Sequence, residues 1–255
     1  MFVLPSRVVF SDAAFRYRDG CATYGDYNYL RPGLIPRLKR YRFEVALQLA
    51  APRFHETGAI DMGCADGVLL PSLAKYFERV AGVDRLARWL VVAQQLVDTE
   101  GLTSVRLLDN SKLTMNELKA ALGGEGYGVL FLLETIEHVA DPARPYESRV
   151  EFIRSLFTLL DPGGTIVLSM PKMVGAGFAL KYLIQASLRM HHEKLTTGEL
   201  ASAVFRRNTD SLEPRWSGGH LGFNDASLLA ALKREFRVVR RRNLVFSEVL
   251  LLEQR

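Results

Sequence analysis

The sequence predicts an α/β protein built on a parallel sheet, and three observations carry that prediction. Short apolar runs alternate with helical patterns from about residue 57 to 170. Those runs are nearly unbroken, as expected of strands buried on both faces. The first of them, residues 59–62, leads straight into Gly63-Cys64-Ala65-Asp66-Gly67, a glycine turn followed by a helix. With 255 residues, 48% hydrophobic and 24% charged, the chain can bury a substantial core without disulfides.

Each element follows from its own pattern. After the glycine turn a helix is expected over 66–78, its start offering unpaired N–H groups to an anionic or nucleotide-like ligand. A second strand, Val80-Ala81-Gly82-Val83-Asp84, ends in an acid suited to a ribose diol, and a helix follows over 85–99. The third strand, Val105-Arg106-Leu107-Leu108, ends in Asp109-Asn110, where Asp109 is either a ligand contact or a solvated turn residue or helix cap, and a helix is expected over 113–122. The fourth, Tyr127-Gly128-Val129-Leu130-Phe131-Leu132-Leu133, runs into Glu134-Thr135-Ile136-Glu137-His138. A helix over 146–160 is punctuated by Pro162-Gly163-Gly164 before a fifth strand from Thr165. Two more strands fall near 236–245 and 247–254. Ligands of such sheets bind beyond the carboxyl ends of the strands, so Asp61, Asp84, Asp109 and Glu134 are expected to converge on one crevice.

The spacing from Gly63 to Gly67 is G-x-x-x-G, which disfavours a nicotinamide site and its G-x-G-x-x-G. With the acid at Asp61 it resembles the first motif of the class I S-adenosylmethionine (SAM) dependent methyltransferases, Ala65 replacing the central glycine. Glu134-Thr135-Ile136-Glu137-His138-Val139-Ala140-Asp141-Pro142 is similar to the segment after strand four of the ubiquinone-biosynthesis O-methyltransferases, and Leu160-Asp161-Pro162-Gly163-Gly164 to the turn before strand five. The resemblance covers about residues 55–172 well and 220–255 loosely, including Gly219-His220-Leu221-Gly222-Phe223.

That resemblance implies a Rossmann-like seven-stranded, mostly parallel sheet flanked by helices, its last strand antiparallel, with a helical insertion after strand five. It implies one domain: an N-terminal lid region over 1–50, a SAM-binding core over 55–172, a substrate-side insertion over 173–219, and a C-terminal helix and strands over 220–255. It implies SAM as cofactor and S-adenosylhomocysteine (SAH) as product, held by Asp61, Gly63, Cys64, Ala65, Gly67, Asp84, Arg85, Asp109, Asn110 and Glu134. The acceptor expected is an oxygen of a small molecule: a sugar, a phenol or a lipid-linked intermediate.

His138 is the first candidate for a base on that oxygen, with Glu137 beside it; the alternative is a histidine in a structural contact. A second chemistry makes Glu134, Glu137, His138 and His220 ligands of a divalent ion, although no metal is the favoured reading. His191-His192 reads as a solvated helix end. Tyr24, Tyr27 and Tyr29 either close over the cofactor or pack as surface aromatics. The apolar helix at 175–190 is either a core or dimer contact, or a lid for a lipid-linked acceptor at a membrane surface.

A net charge of +5 raises a nucleic-acid reading. Arg240-Arg241-Arg242 instead suits an exposed edge strand, where charge discourages aggregation. An RNA methyltransferase and a SAM-binding protein without turnover stay open as alternatives, and the oligomeric state expected is monomer or homodimer. Cys21 and Cys64 form no disulfide framework, the start at Met1 is not a secretory signal, and no stretch has the apolar length to span a bilayer. A cytoplasmic location is therefore expected.

Overall fold

The computed structural model describes residues 1–8, 23–124, 126–187, 195–215 and 220–255. Cys21, His191, His192 and Gly219, singled out from the sequence, lie outside the described residues, as does the end of the 175–190 segment beyond Ser187.

Seven strands form one sheet: β1 Gly58–Met62, β2 Val80–Asp84, β3 Val105–Asp109, β4 Tyr127–Leu133, β5 Thr165–Pro171, β6 Phe236–Asn243 and β7 Ser247–Gln254. Their order is β3-β2-β1-β4-β5-β7-β6. The first five pair in parallel, and β7 runs antiparallel to both β5 and β6. The Rossmann-like sheet with an antiparallel last strand is therefore present. Every residue of β1, β2 and β5 is buried, which is why these strands read as unbroken apolar runs. The edge strand β6 carries the arginine run on a mostly exposed segment, Arg241 pairing with Glu248 and Arg237 with Glu253 across to β7.

The helices are α1 Leu34–Ala50, α2 Leu70–Tyr76, α3 Ala87–Glu100, α4 Met115–Ala121, α5 Pro145–Phe157, α6 Gly175–Ser187, α7 Thr197–Ala201 and α8 Asp225–Glu235. They cover both faces. Ile60, Leu130 and Leu132 of the sheet bury against Leu118 of α4, Ile153 of α5 and Leu228 of α8. On the opposite face Val129, Phe131 and Val167 meet Leu47 of α1 and Leu70 and Leu73 of α2. The period-two alternation along β4 thus feeds two cores, each buried side chain contributing about 1.5–3 kcal/mol.

Two helix bounds differ from the sequence expectation by three residues or more. Helix α2 starts at Leu70 rather than at 66, because Gly67 takes φ +82° and the chain is still turning there. Helix α5 ends at Phe157 rather than 160; Leu159 and Leu160 donate to Leu156 and Phe157 O at 3.1 Å, tightening the chain ahead of Pro162. Helix α4 starts at Met115 rather than 113, where the Thr114 side chain and Glu117 form a capping box. Among the described residues no helix is long and apolar enough to cross a membrane.

Candidate active site

The glycine turn after β1 is held by its own amides. Gly63 and Cys64 N–H donate to the Val83 carbonyl at 2.8 and 3.1 Å, Ala65 N–H to Asp84 Oδ2 at 2.9 Å, and Gly67 N–H to Cys64 O at 2.9 Å. The expected helix start with open N–H groups directly behind the glycines is therefore displaced to Leu70. A Cβ on Gly63 would lie 2.4 Å from Thr135 Oγ1, and one on Gly67 would lie 2.9 Å from Leu70 Cδ1 and 3.2 Å from Ala93 Cβ. Both glycines are also at positive φ. Gly67 is thus demanded by φ and by helix packing. Ala65 carries φ +48°, which a residue with a side chain holds only with strain. Cys64 is buried, with Sγ 3.8 Å from its neighbour's carbonyl, and burial pushes its thiol well up.

Asp61 and Asp84 end neighbouring strands, and both are buried. Burial, then the nearby Asp84, pushes the Asp61 carboxyl up to about 7. Asp84 accepts from Ala65 N–H and, at 2.8 Å, from Leu86 N–H, so it ties the glycine turn to the end of β2 while keeping further lone pairs. Arg85 is exposed. Asp109 does not converge on the crevice: it is exposed and accepts from Ser111 N–H at 2.8 Å, an Asx turn that holds its carboxyl below the usual range. Its neighbour Asn110 takes the inward place, with a buried Oδ1 that lacks a hydrogen-bond partner and Nδ2 4.0 Å from Met62 Sδ.

Past β4 the acids separate from the first crevice. Glu134, at φ +52°, accepts from Ser169 Oγ at 3.2 Å and pairs with buried Arg42 of α1 at 3.2 Å. This ion pair ties the end of β4 to α1. The next turn, Ile136–His138, buries Glu137 completely, its Oε1 3.9 Å from Nε2 of both His138 and His220. Burial, then Glu134, pushes the Glu137 carboxyl well above the carboxylate range. The two imidazoles meet edge-on at 5.4 Å. Burial, then Lys181, holds His220 well below the ordinary histidine value, so it is neutral at neutral pH. Ligand atoms of Glu137, His138 and His220 all lie within 4.8 Å of one another, whereas Glu134 is outside that group.

These residues open into a cavity of about 1050 Å³ between α1, α6 and the β6–β7 connection. Tyr24 and Tyr29 line it and Tyr27 does not. The Tyr29 hydroxyl accepts from Arg42 at 2.8 Å. Beside them Gly25 N–H donates to Asp66 Oδ2 at 2.5 Å, so the segment around Thr23 is fastened to the glycine turn. The apolar side of α6 enters the same cavity through Phe178 and Tyr182.

Residues 37–206 match the family model described as a methyltransferase domain. The chain belongs to that family. The methyltransferase domain is 32% identical over 145 residues to a ubiquinone biosynthesis O-methyltransferase of Cereibacter sphaeroides, covering 53% of each chain. It is 32% identical over 173 residues to the mitochondrial enzyme of that name from Arabidopsis thaliana, covering 64% of this chain and 50% of the relative. It thus spans about half the length of the curated relatives it matches. In fold it resembles the N-methyltransferase NodS from Bradyrhizobium japonicum WM9, solved in complex with SAH, with a TM-score of 0.55 at 14% identity over 85% of this chain and 87% of that one. One neighbour is named for oxygen and another for nitrogen, so the likeness fixes the fold and leaves the acceptor to this chain's own residues.

Arg42, Lys39 and Lys181 line the cavity and Asp66 fastens Gly25, placements that the sequence did not single out. A basic pattern on a helix reads as a solvated face, and only the docking of α1 onto the sheet turns Arg42 inward.

Proposed function

We propose that this methyltransferase domain transfers a methyl group from SAM to an oxygen of a small-molecule acceptor seated in the cavity. The observation that carries the reading is the Glu137, His138 and His220 cluster opening into that cavity beside a glycine turn braced by Asp84. Asp61, Asp84 and Asn110 suit the cofactor: a carboxylate with lone pairs to accept from a diol, and a buried carbonyl oxygen with room for a donor. SAM supplies the electrophilic methyl. An acceptor C–O bond forms as the C–S bond breaks, SAH leaves, and the hydroxyl proton passes to an imidazole nitrogen. His138 lies at the cavity wall for that proton, and neutral His220 stands beside it. Enclosure by α1 and α6 would exclude water and hold the acceptor in line, which supplies most of the acceleration of such a displacement.

A second reading is favoured by the geometry of the same cluster: one carboxylate and two imidazoles suit manganese, iron or zinc better than magnesium, and such an ion would lower the acceptor hydroxyl's pKa. Glu134, held by Arg42, is not needed for it. The whole chain is read as one such domain, and a free buried Cys64 suits the reducing cytoplasm.

His138→Ala and His220→Ala are expected to keep SAH affinity within a few-fold while methyl transfer to a phenol and sugar panel falls about 10²–10⁴-fold. Calorimetric manganese binding lost in both variants supports the metal reading; turnover unchanged by EDTA supports the base. Equal loss of SAH binding and turnover would contradict both.

A further inference from the structure

We propose that the acceptor of this cavity carries an anionic group, a carboxylate or a phosphate, held between Lys39 of α1 and Lys181 of α6. The inference rests on reading the cavity as the acceptor site. It goes further by naming the chemistry that the acceptor must bring.

Both ammonium groups line the cavity, and α1 and α6 bring them to it from different walls. Among the described residues neither forms an ion pair with a carboxylate. Lys39 Nζ donates to the neutral Asn28 Oδ1 at 2.7 Å, and Lys181 Nζ lies 3.4 Å from Met173 Sδ, a weak acceptor. The acids of the neighbourhood are engaged elsewhere: Glu134 with Arg42, Glu137 against two imidazoles, and Asp225 with the Met173 and Val174 amides at 2.8 and 3.2 Å. Burial pushes Lys39 down to about 8, with Arg42 and Lys181 lowering it further against the pull of Glu134, and burial pushes Lys181 down as well, against the opposite pull of Glu134, Glu137 and Asp225. Buried charges are ordinarily paired, because desolvation without a partner is costly. Two cations facing one cavity are compensated by an anion that arrives with the ligand, through charge-assisted hydrogen bonds. Leu38, Phe178 and Leu244 add apolar wall between polar residues such as Gln48, Gln185 and Asn243, so part of the acceptor has an apolar skeleton.

The test is calorimetric titration of the full chain, loaded with SAH, with decanoate, decyl phosphate and decanol. At least one anion is expected to bind tenfold or more tighter than decanol; decanoate alone would specify a carboxylate, decyl phosphate alone a phosphate, and both the shared charge. A Lys39→Gln/Lys181→Gln double variant should lose that preference while its SAH affinity and melting transition persist. Lys39→Arg/Lys181→Arg should keep it, which answers for a glutamine variant that folds poorly. Absence of anion binding, equal binding of decanol, or a preference that survives the double glutamine variant would overturn the proposal. Failure of SAH itself to bind would overturn the methyltransferase reading instead, so the two failures are distinguishable.

Discussion

At the residue scale the glycine turn shows why spacing was informative and individual roles were not. Ala65 holds φ +48° where the family motif has glycine, and its N–H is fixed on Asp84. Ala65→Gly is expected to stabilise the protein by about 0.5–1 kcal/mol, the strain relieved outweighing the added chain entropy. Urea unfolding checks it; a lower midpoint would mean that the strain is relaxed elsewhere. The positions of Asp61 and Asp84 in β1 and β2, and of Glu137 and His138 in the turn after β4, were legible because strand ends and the E-x-x-E-H string mark them. Asp109 takes its turn-residue alternative, and Glu134 an ion pair, for a physical reason. A residue at a strand end turns its side chain according to local competition, and Ser111 N–H captured Asp109 as Arg42 captured Glu134.

At the element scale the N-terminal region is the part the sequence described least well. Its tyrosines were visible, yet the contact that fastens the segment is a backbone one, Gly25 N–H on Asp66, which no side-chain pattern announces. A Cβ on Gly25 would lie 2.4 Å from Val68 Cγ2 and 3.0 Å from Asp66 Oδ2, so Gly25→Ala must lift the segment. SAH affinity is then expected to fall about tenfold, or roughly 1.4 kcal/mol. Unchanged affinity with an unchanged melting transition would remove the lid role from this segment. Helix α6, expected either as a core or dimer contact or as a lid over the acceptor, lines the cavity together with α1, which is remote from it in sequence.

At the scale of the whole molecule the sheet was readable almost strand by strand, because a parallel core writes long apolar runs into the chain. Its charge state was not. Asp61 at about 7 and Asp66 at about 6 both stand above their ordinary 3.8, so the folded protein favours their protonated forms. The stability this confers is present at about pH 4 and is lost as pH rises through 6 and 7, on the order of 4 kcal/mol for Asp61. Urea titrations of the ligand-free protein from pH 4 to 7.5 should show that decline, and Asp61→Asn should flatten much of it; an unaltered slope would place the proton elsewhere.

The central claim is that the β1 turn, Asp84 and Asn110 form a SAM site opening on the cavity. Calorimetric titration of the purified chain with SAM and SAH, with NAD as control, tests it most directly. The account predicts micromolar binding of both sulfur ligands, none of NAD, and an Asp84→Ala variant weaker by about 1–3 kcal/mol. No heat and no thermal shift with either sulfur ligand would contradict it.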